Sequence, residues 1–150
     1  MRILLINGPN LNRLGHRDPS VYGTMTLPEI EAAFTARAKE RGVDAVCFQA
    51  NGEGQIIDFL QGEIPRGADG IVINPGALTH YGYSLRDALQ DVGAPVIETH
   101  LSNIHAREEF RRRSVIAPVA RAQIAGLGWR GYLFALDFLV DLLVTEATTS

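Results

Sequence analysis

The chain has 150 residues, which is enough for one domain with a sizeable core and too few for two. Hydrophobic residues make up 46% of the chain and charged residues 21%, a composition that excludes a largely disordered protein. The formal net charge is −3 and the longest basic run is three arginines at residues 111–113. The charge therefore favours neither nucleic acid nor an acidic membrane as a partner.

One cysteine, Cys47, is present, so an internal disulfide is excluded. It lies in an apolar stretch, where we expect it to act as a small buried hydrophobic residue. The first residues lead directly into an apolar strand and lack the pattern of a signal peptide. The longest apolar stretch, residues 132–144, contains Asp137 and Asp141 and is too short to cross a bilayer. These features predict a cytoplasmic protein that does not span a membrane.

An apolar run at residues 3–6 predicts a buried strand of a parallel sheet. Gly8 and Pro9 end this strand. A long polar loop follows, at about residues 13–24, and a loop of this length in a small domain is typical of a lid or a binding loop. A simple solvent-exposed connection would have a similar composition, so both interpretations stay open at this point.

The first long helix has a clear start signal. Thr26 followed by Glu29 is the pattern of a capping box, and Gly42 is placed to end the helix. Apolar residues recur between these positions at helical spacing and predict one buried face. This face consists of Leu27, Ile30, Phe34 and Ala38.

Strand and helix patterns alternate through the rest of the chain. The predicted strands are residues 43–48, 70–74, 95–98 and, as a short fifth strand, 114–117. The predicted helices are residues 55–61, residues 84–91 and a closing helix with Leu133, Leu136, Val140 and Leu143 on its inward face. Nearly all-apolar strands that alternate with helices predict a five-stranded parallel sheet covered on both faces, a flavodoxin-like three-layer α/β sandwich.

Polar residues cluster where three of the predicted strands end. Asn7 and Asn10 follow the first strand, Asn74 ends the third, and residues 98–103 run from Glu98 past the end of the fourth. Because the carboxyl ends of parallel strands share one edge of the sheet, we expect these groups to lie close together.

Glu98 and His100 are two residues apart, so their side chains lie on the same side of an extended segment. A carboxylate beside an imidazole fixes its tautomer and raises its basicity, as a general acid or base requires. A purely structural histidine is the alternative.

The histidines also raise the question of a metal site. His80, His100 and His105 match no common zinc spacing, so we expect no metal.

No phosphate-binding loop, nucleophile elbow or dinucleotide-binding glycine motif follows any predicted strand. The sequence therefore lacks the motifs that would best support a kinase, a hydrolase or a dinucleotide-dependent enzyme.

Arg17 and Tyr22 form an uncommon pair within the polar loop. A free tyrosine, with a pKa of about 10, is a poor base at neutral pH. Guanidinium groups nearby favour the phenolate, and arginine does not lose its own proton. The more common arrangement in proteins is a surface tyrosine packed on an arginine.

Several separate blocks of the sequence point to one family. They are residues 7–12 (Asn-Gly-Pro-Asn-Leu-Asn), 14–23, 74–77, 85–88, 101–103, 106–111, 126–128 and 131–132. In this order and spacing they resemble the type II 3-dehydroquinate dehydratases over essentially the whole chain. The resemblance implies one catalytic domain over residues 1–150, with the lid at about residues 13–24.

The implied reaction is the dehydration of 3-dehydroquinate to 3-dehydroshikimate, by anti elimination through an enolate, with no cofactor and no metal. This reaction serves both the shikimate pathway of aromatic amino acid biosynthesis and quinate breakdown, which the sequence does not distinguish. The resemblance also implies a homododecamer built from trimers.

The resemblance also assigns roles to individual residues. The implied catalytic residues are Tyr22, Arg17, Asn10, His100 and Glu98, with Arg107 in support. Tyr22 would remove the proton next to the ketone, and His100 would protonate the departing hydroxide. The implied substrate contacts are the backbone amides of Leu101 and Ser102, the side chains of Asn74, His80 and Arg111, and Asp87 from a neighbouring subunit.

Three positions depart from the family pattern. Gly52 replaces a histidine, Gly82 a serine and Thr99 an aliphatic residue, and none of them removes a group with a proposed chemical role.

Two other classes of protein remain as alternatives. A non-catalytic binding module would have no need of a tyrosine base, and a flavin or phosphate carrier would need a Ser/Thr/Gly-rich loop after the first strand.

Overall fold

A five-stranded parallel sheet organises the chain, whose computed structural model describes residues 1–149. The strands are β1 (Arg2–Asn7), β2 (Asp44–Gln49), β3 (Gly70–Asn74), β4 (Val96–His100) and β5 (Ala122–Ala125). The helices are α1 (Pro19–Tyr22), α2 (Leu27–Glu40), α3 (Glu53–Glu63), α4 (Tyr83–Asp91) and α5 (Arg130–Thr149). The strand order β2-β1-β3-β4-β5 is that of the flavodoxin-like sandwich, so the predicted fold class is confirmed.

Helices cover both faces of the sheet and bury its central strands. Ile3 and Leu5 of β1 pack in the core beneath α2 and α5, whereas Leu4 and Ile6 pack beneath α3 and α4. All four side chains are fully buried. A strand enclosed on both sides has no solvent face, which explains the uninterrupted apolar run in the sequence.

α2 begins with the predicted capping box. The Thr26 hydroxyl accepts a hydrogen bond from the Glu29 backbone N–H, and the Glu29 carboxylate accepts one from the Thr26 N–H at 2.8 Å. The predicted inward face of the helix, Leu27, Ile30, Phe34 and Ala38, is buried. Gly42 follows the helix with a φ of 70°, a left-handed conformation that favours glycine.

The prediction of a fifth strand at residues 114–117 is wrong. The edge strand β5 lies further along the chain, and Ala117–Val119 forms a 3-10 turn. Val115 and Ile116 are buried beneath α3 and α4, so this apolar pair serves the core from a bent segment rather than a strand. β5 itself is short and half-buried, and therefore gives only a weak sequence signal.

Other elements differ from their predicted limits. β4 continues to His100, so Glu98 lies within the strand and His100 is its last residue. The polar loop contains the one-turn helix α1, where the Asp18 carboxylate accepts a hydrogen bond from the Ser20 N–H at 2.9 Å. Cys47 is half-buried rather than buried, and this partial burial raises the pKa of its thiol.

The closing helix α5 packs against the sheet and against α2. Leu136 and Val140 are buried, and the guanidinium of Arg37 in α2 donates two hydrogen bonds of 2.9 Å to the Asp137 carboxylate. Within residues 1–149, no helix is both long and apolar enough to cross a membrane.

The loops that follow β1 and β3 touch at the carboxyl edge of the sheet. The Gly8 N–H donates a 2.8 Å hydrogen bond to the Asn74 carbonyl, and a Cβ on Gly8 would lie 2.4 Å from the Pro75 carbonyl oxygen. Only glycine permits this approach, which holds the two loops together beside the site described below.

We expect Gly8→Ala to lower the free energy of unfolding by about 1–3 kcal/mol, because the added methyl group would overlap backbone atoms. Gly62→Ala, inside α3 and with open space around it, is the matched control and should be neutral or stabilising by up to about 1 kcal/mol. Urea unfolding measures both. An equal free energy of unfolding for Gly8→Ala and the wild type would show that the two loops can move apart without loss of stability.

Candidate active site

A cavity of about 130 Å³ opens at the carboxyl edge of the sheet, among the loops that follow β1, β3 and β4. Most of the residues that the sequence singled out line it. They are Asn10, Arg17, Tyr22, Asn74, His80, His100, Leu101, Ser102, Arg107 and Arg111. Residues far apart in sequence therefore converge because the strands are parallel.

Tyr22 lies between two arginines at one side of the cavity. The guanidinium carbon of Arg17 is 3.8 Å from the centroid of the Tyr22 ring. Arg107 Nη2 donates a 3.1 Å hydrogen bond to the Tyr22 hydroxyl oxygen, and Arg107 Nη1 donates one of 3.2 Å to the Ser102 hydroxyl. The direct contact with the oxygen thus comes from Arg107, while Arg17 covers the ring face.

Two local structures hold this group. Tyr22 is the last residue of α1 and packs partly against the core beneath α2 and α5. Arg107 follows the 3-10 turn Ile104–Ala106, where the Asn103 side chain accepts a hydrogen bond from the His105 N–H at 3.2 Å. Backbone hydrogen bonds within each turn hold α1 and the turn Ile104–Ala106. Tyr22 and Arg107 are therefore both carried by short turns and not by a long helix or a strand.

His100 also lines the cavity and contacts a buried carboxylate. His100 Nε2 is 2.7 Å from Glu98 Oε1, and both side chains are on the same face of β4, as their spacing predicts. Thr79 and Ser114 also donate to the Glu98 carboxylate. Burial raises the pKa of Glu98, but the hydrogen bonds from His100, Thr79 and Ser114 outweigh it, so that pKa lies below its usual value.

Asn74 is held by a buried network at the floor of the cavity. Its Oδ1 accepts from the Gly76 N–H at 3.1 Å, and its Nδ2 donates to the Tyr132 hydroxyl at 2.8 Å. That hydroxyl in turn donates to Asn7 Oδ1 at 2.7 Å. The network fixes the orientation of the amide and leaves one N–H of Asn74 for the cavity. Tyr132 is fully buried, which raises the pKa of its hydroxyl well above the usual value.

His80 and Arg111 also line the cavity. His80 ends the 3-10 turn Gly76–His80, and its Nδ1 donates a 2.7 Å hydrogen bond to the Arg113 carbonyl oxygen. The other ring nitrogen of neutral His80 is therefore an acceptor. Arg111 donates to the Glu108 carboxylate, and this contact lowers the pKa of Glu108.

Asn10 reaches the cavity from an unusual backbone conformation. Its φ of 69° is left-handed, which asparagine tolerates better than most residues, and its N–H donates to the Asn51 side chain at 3.0 Å. Leu101 and Ser102 follow β4 directly and line the cavity beside His100.

Two of the predicted site residues do not line this cavity. Glu98 lies behind His100, and Asp87 is exposed on α4. His105 is also exposed and away from the cavity lining. In the part of the chain that the structure describes, no group of three or more His, Cys, Asp or Glu residues is placed to hold a metal ion.

Thr79, Ser114 and Tyr132 are the site residues that the sequence did not single out for a role. Thr79 stands next to His80, and Tyr132 lies in one of the matching blocks, so both had a local signal. Ser114 had no such local signal, because the sequence of its segment predicts a strand and not the bend that brings Ser114 to Glu98.

Comparison with known proteins shows what the whole chain is similar to. The family described as "Dehydroquinase class II" matches residues 1–140. The 3-dehydroquinate dehydratase of Roseiflexus castenholzii is 61% identical over 140 residues, which cover 93% of this chain and 88% of that protein. The corresponding protein of Bacillus licheniformis is 55% identical and covers 93% and 95%. The crystal structure of type II dehydroquinase from Butyrivibrio crossotus has a TM-score of 0.91 at 48% identity, covering 93% of this chain and 97% of that one.

The lowered pKa of Glu98 predicts how stability depends on pH. The ionised carboxylate stabilises the fold fully above the usual value of 4.5, and this contribution is lost as the pH falls through the lowered native value. We therefore expect the difference in unfolding free energy between the wild type and Glu98→Gln to be constant above pH 5 and to shrink below it. Denaturant unfolding from pH 7 to pH 3 measures this. A difference that stays constant down to pH 3 would contradict the assignment.

Proposed function

We propose that this chain, which belongs to the class II dehydroquinase family, catalyses the dehydration of 3-dehydroquinate to 3-dehydroshikimate. The observation that carries the proposal is that two candidate proton-transfer groups line one cavity. Tyr22 is bound by Arg107, and His100 is bound by Glu98. The names of relatives at 50–61% identity support the same substrate.

The first step is removal of the proton next to the ketone. This proton is weakly acidic, so the reaction needs both a strong base and stabilisation of the negative charge that develops. The Tyr22 phenolate is the proposed base, with the positive charges of Arg107 and Arg17 beside it. Asn10, which lines the cavity, is assigned to stabilise the enolate through an ordered water.

The second step is loss of the hydroxyl group. Hydroxide is a poor leaving group, so His100 donates a proton to the departing oxygen as the carbon–oxygen bond breaks and the conjugated enone forms. Glu98 faces Nε2 of His100, so the doubly protonated ring gives up its Nδ1 proton and keeps the proton on Nε2. The products are the enone and one water molecule, and no redox cofactor or metal enters the balance.

The remaining polar groups of the cavity are assigned to the substrate. The Asn74 amide N–H and the backbone amides of Leu101 and Ser102 would hold its carboxylate. His80, with its acceptor nitrogen, and Arg111 would bind the ring hydroxyls. The substrate is thereby placed with its acidic proton toward Tyr22 and its leaving group toward His100.

We assign residues 13–24 as a lid. This segment carries Arg17 and Tyr22, and most of its residues are exposed or half-buried. Its closure over substrate would exclude water and strengthen the interaction between the arginines and the phenolate.

The proposed assembly is a homododecamer of trimers in the cytoplasm, in which Asp87 contacts substrate in the cavity of a neighbouring subunit. Asp87 is exposed on α4 and away from the cavity of its own chain, as this role requires. Tyr83, at the start of α4, and Phe110, which packs edge-on against His80, are also exposed and offer apolar surface for a subunit contact. Either the shikimate pathway or quinate breakdown would use the product.

Tyr22→Phe should lower kcat by about 10²–10⁴-fold with little change in KM, because it removes the base and leaves the substrate contacts in place. Tyr81→Phe, at an exposed tyrosine outside the cavity lining, is the matched control and should behave like the wild type. The measurement is the increase in enone absorbance after addition of 3-dehydroquinate.

A Tyr22→Phe variant with near-normal turnover would remove Tyr22 as the base. A wild-type protein that binds 3-dehydroquinate without turnover would instead support the non-catalytic binding module. The two results are distinct, because the first needs an active wild type and the second excludes one.

Sedimentation of the wild type should give twelve copies of the 16.4 kDa chain, about 197 kDa. Asp87→Ala should keep this mass and raise KM for 3-dehydroquinate, since the proposed contact is with substrate rather than between subunits. Asp91→Ala, on the same exposed helix, is the control for a change of surface charge. Full activity in a monomer, or an unchanged KM in Asp87→Ala, would contradict the shared site.

A further inference from the structure

We propose that Thr79 and Ser114 are positioning residues that hold the Glu98 carboxylate as an acceptor of three hydrogen bonds, which fixes His100 in the tautomer with its proton on Nε2. This inference rests on the proposed function, in which His100 is the general acid. Neither hydroxyl is assigned any contact with substrate, and neither residue lines the cavity.

The direction of each hydrogen bond follows from the contacts of Ser114. A hydroxyl has one proton to donate and two lone pairs that accept. Ser114 Oγ accepts from the Ile116 N–H at 3.1 Å and from the Ala117 N–H at 2.9 Å, so both acceptor positions are taken. Thr79 Oγ1 lies 2.8 Å from Ser114 Oγ and therefore cannot donate to it.

The Thr79 proton must then go to Glu98, which it contacts directly. The Ser114 proton also reaches the carboxylate, since Ser114 Oγ is 2.9 Å from Glu98 Oε1 and 3.0 Å from Oε2. With His100 Nε2 as the third donor, every neighbouring polar side chain gives a hydrogen bond to Glu98. A protonated Glu98 would have to break one of these bonds to place its own hydrogen.

The same short segment also controls the second histidine of the cavity. The Arg113 carbonyl oxygen accepts from His80 Nδ1 at 2.7 Å, and the next residue supplies the Ser114 hydroxyl. The Val115 N–H donates to the Thr79 carbonyl at 2.7 Å, which fastens the segment to the turn that carries His80. Residues 113–117 thus set the tautomers of both His80 and His100.

The chemical consequence concerns where the proton is transferred. With Nε2–H fixed toward Glu98, only Nδ1 of His100 gains and loses a proton at the cavity. The opposite tautomer would place the Nε2 lone pair against an ionised carboxylate, which is unfavourable. The two hydroxyls therefore act on turnover through Glu98 and have no effect on the affinity for substrate.

The test compares Thr79→Val, which removes the hydroxyl and keeps the shape, with Thr79→Ser, which keeps the hydroxyl. We expect Thr79→Val to lower kcat about 10- to 100-fold with KM within about threefold of wild type, the size expected for one hydrogen bond to a charged group. Thr79→Ser should restore most of kcat. Ser114→Ala should also lower kcat more than it changes KM.

A double substitution separates positioning from general damage. Because Thr79 acts through Glu98, Thr79→Val combined with Glu98→Gln should be no slower than Glu98→Gln alone. Thr79→Ser as slow as Thr79→Val, or effects that multiply in the double variant, would overturn the inference in an active enzyme.

Acid stability gives a readout that does not depend on turnover. Loss of the Thr79 hydroxyl weakens the interaction that lowers the pKa of Glu98, so the acid loss of stability in Thr79→Val should be smaller and should end at a higher pH than in the wild type. Thr79→Ser should match the wild type. An unchanged profile in Thr79→Val would overturn the inference. A wild type that is inactive toward 3-dehydroquinate but shows this shift would contradict only the proposed function.

Discussion

The buried carboxylate of Glu98 is the constraint on which the site depends. An ionised group removed from water is strongly destabilising unless hydrogen-bond donors replace its hydration. Three donors do so here, and they come from β4, from the turn after β3 and from the segment before β5. This requirement accounts for the bend at residues 114–116, since a straight strand there would carry Ser114 away from Glu98. His100 is therefore held through a carboxylate whose donors the fold must supply to satisfy a buried charge.

The Tyr22 part of the cavity is attached differently. Tyr22 and Arg17 belong to a mostly exposed segment with one helical turn, which is attached by the buried Leu14, by the partial packing of Tyr22 on the core and by the Arg107 contact. Segments with few buried contacts open at low free energy, as the proposed lid requires. His100 is thus held by a buried hydrogen bond, whereas Tyr22 lies on a mostly exposed segment.

The sequence predicted those parts of the molecule that local pattern determines. β1 and β3 were clear because strands enclosed on both faces are continuously apolar, and α2 was clear because Thr26 and Glu29 form a complete capping box. The convergence of Asn10, Asn74 and His100 followed from the parallel sheet alone. β5 was missed because an edge strand is short and half-buried, whereas Val115 and Ile116 look like a strand and are buried in a loop.

The contacts that the sequence did not reveal are long-range hydrogen bonds between ordinary polar residues. Ser114 and Glu98 are sixteen residues apart, and Tyr132 and Asn7 are 125 apart, so no local periodicity records either pair. Their effect is to orient a group that the sequence did single out, His100 in one case and Asn74 in the other. Sequence reasoning therefore identifies candidate groups such as His100 and Asn74. The tautomer of the one and the amide orientation of the other are set by residues that only the folded chain brings together.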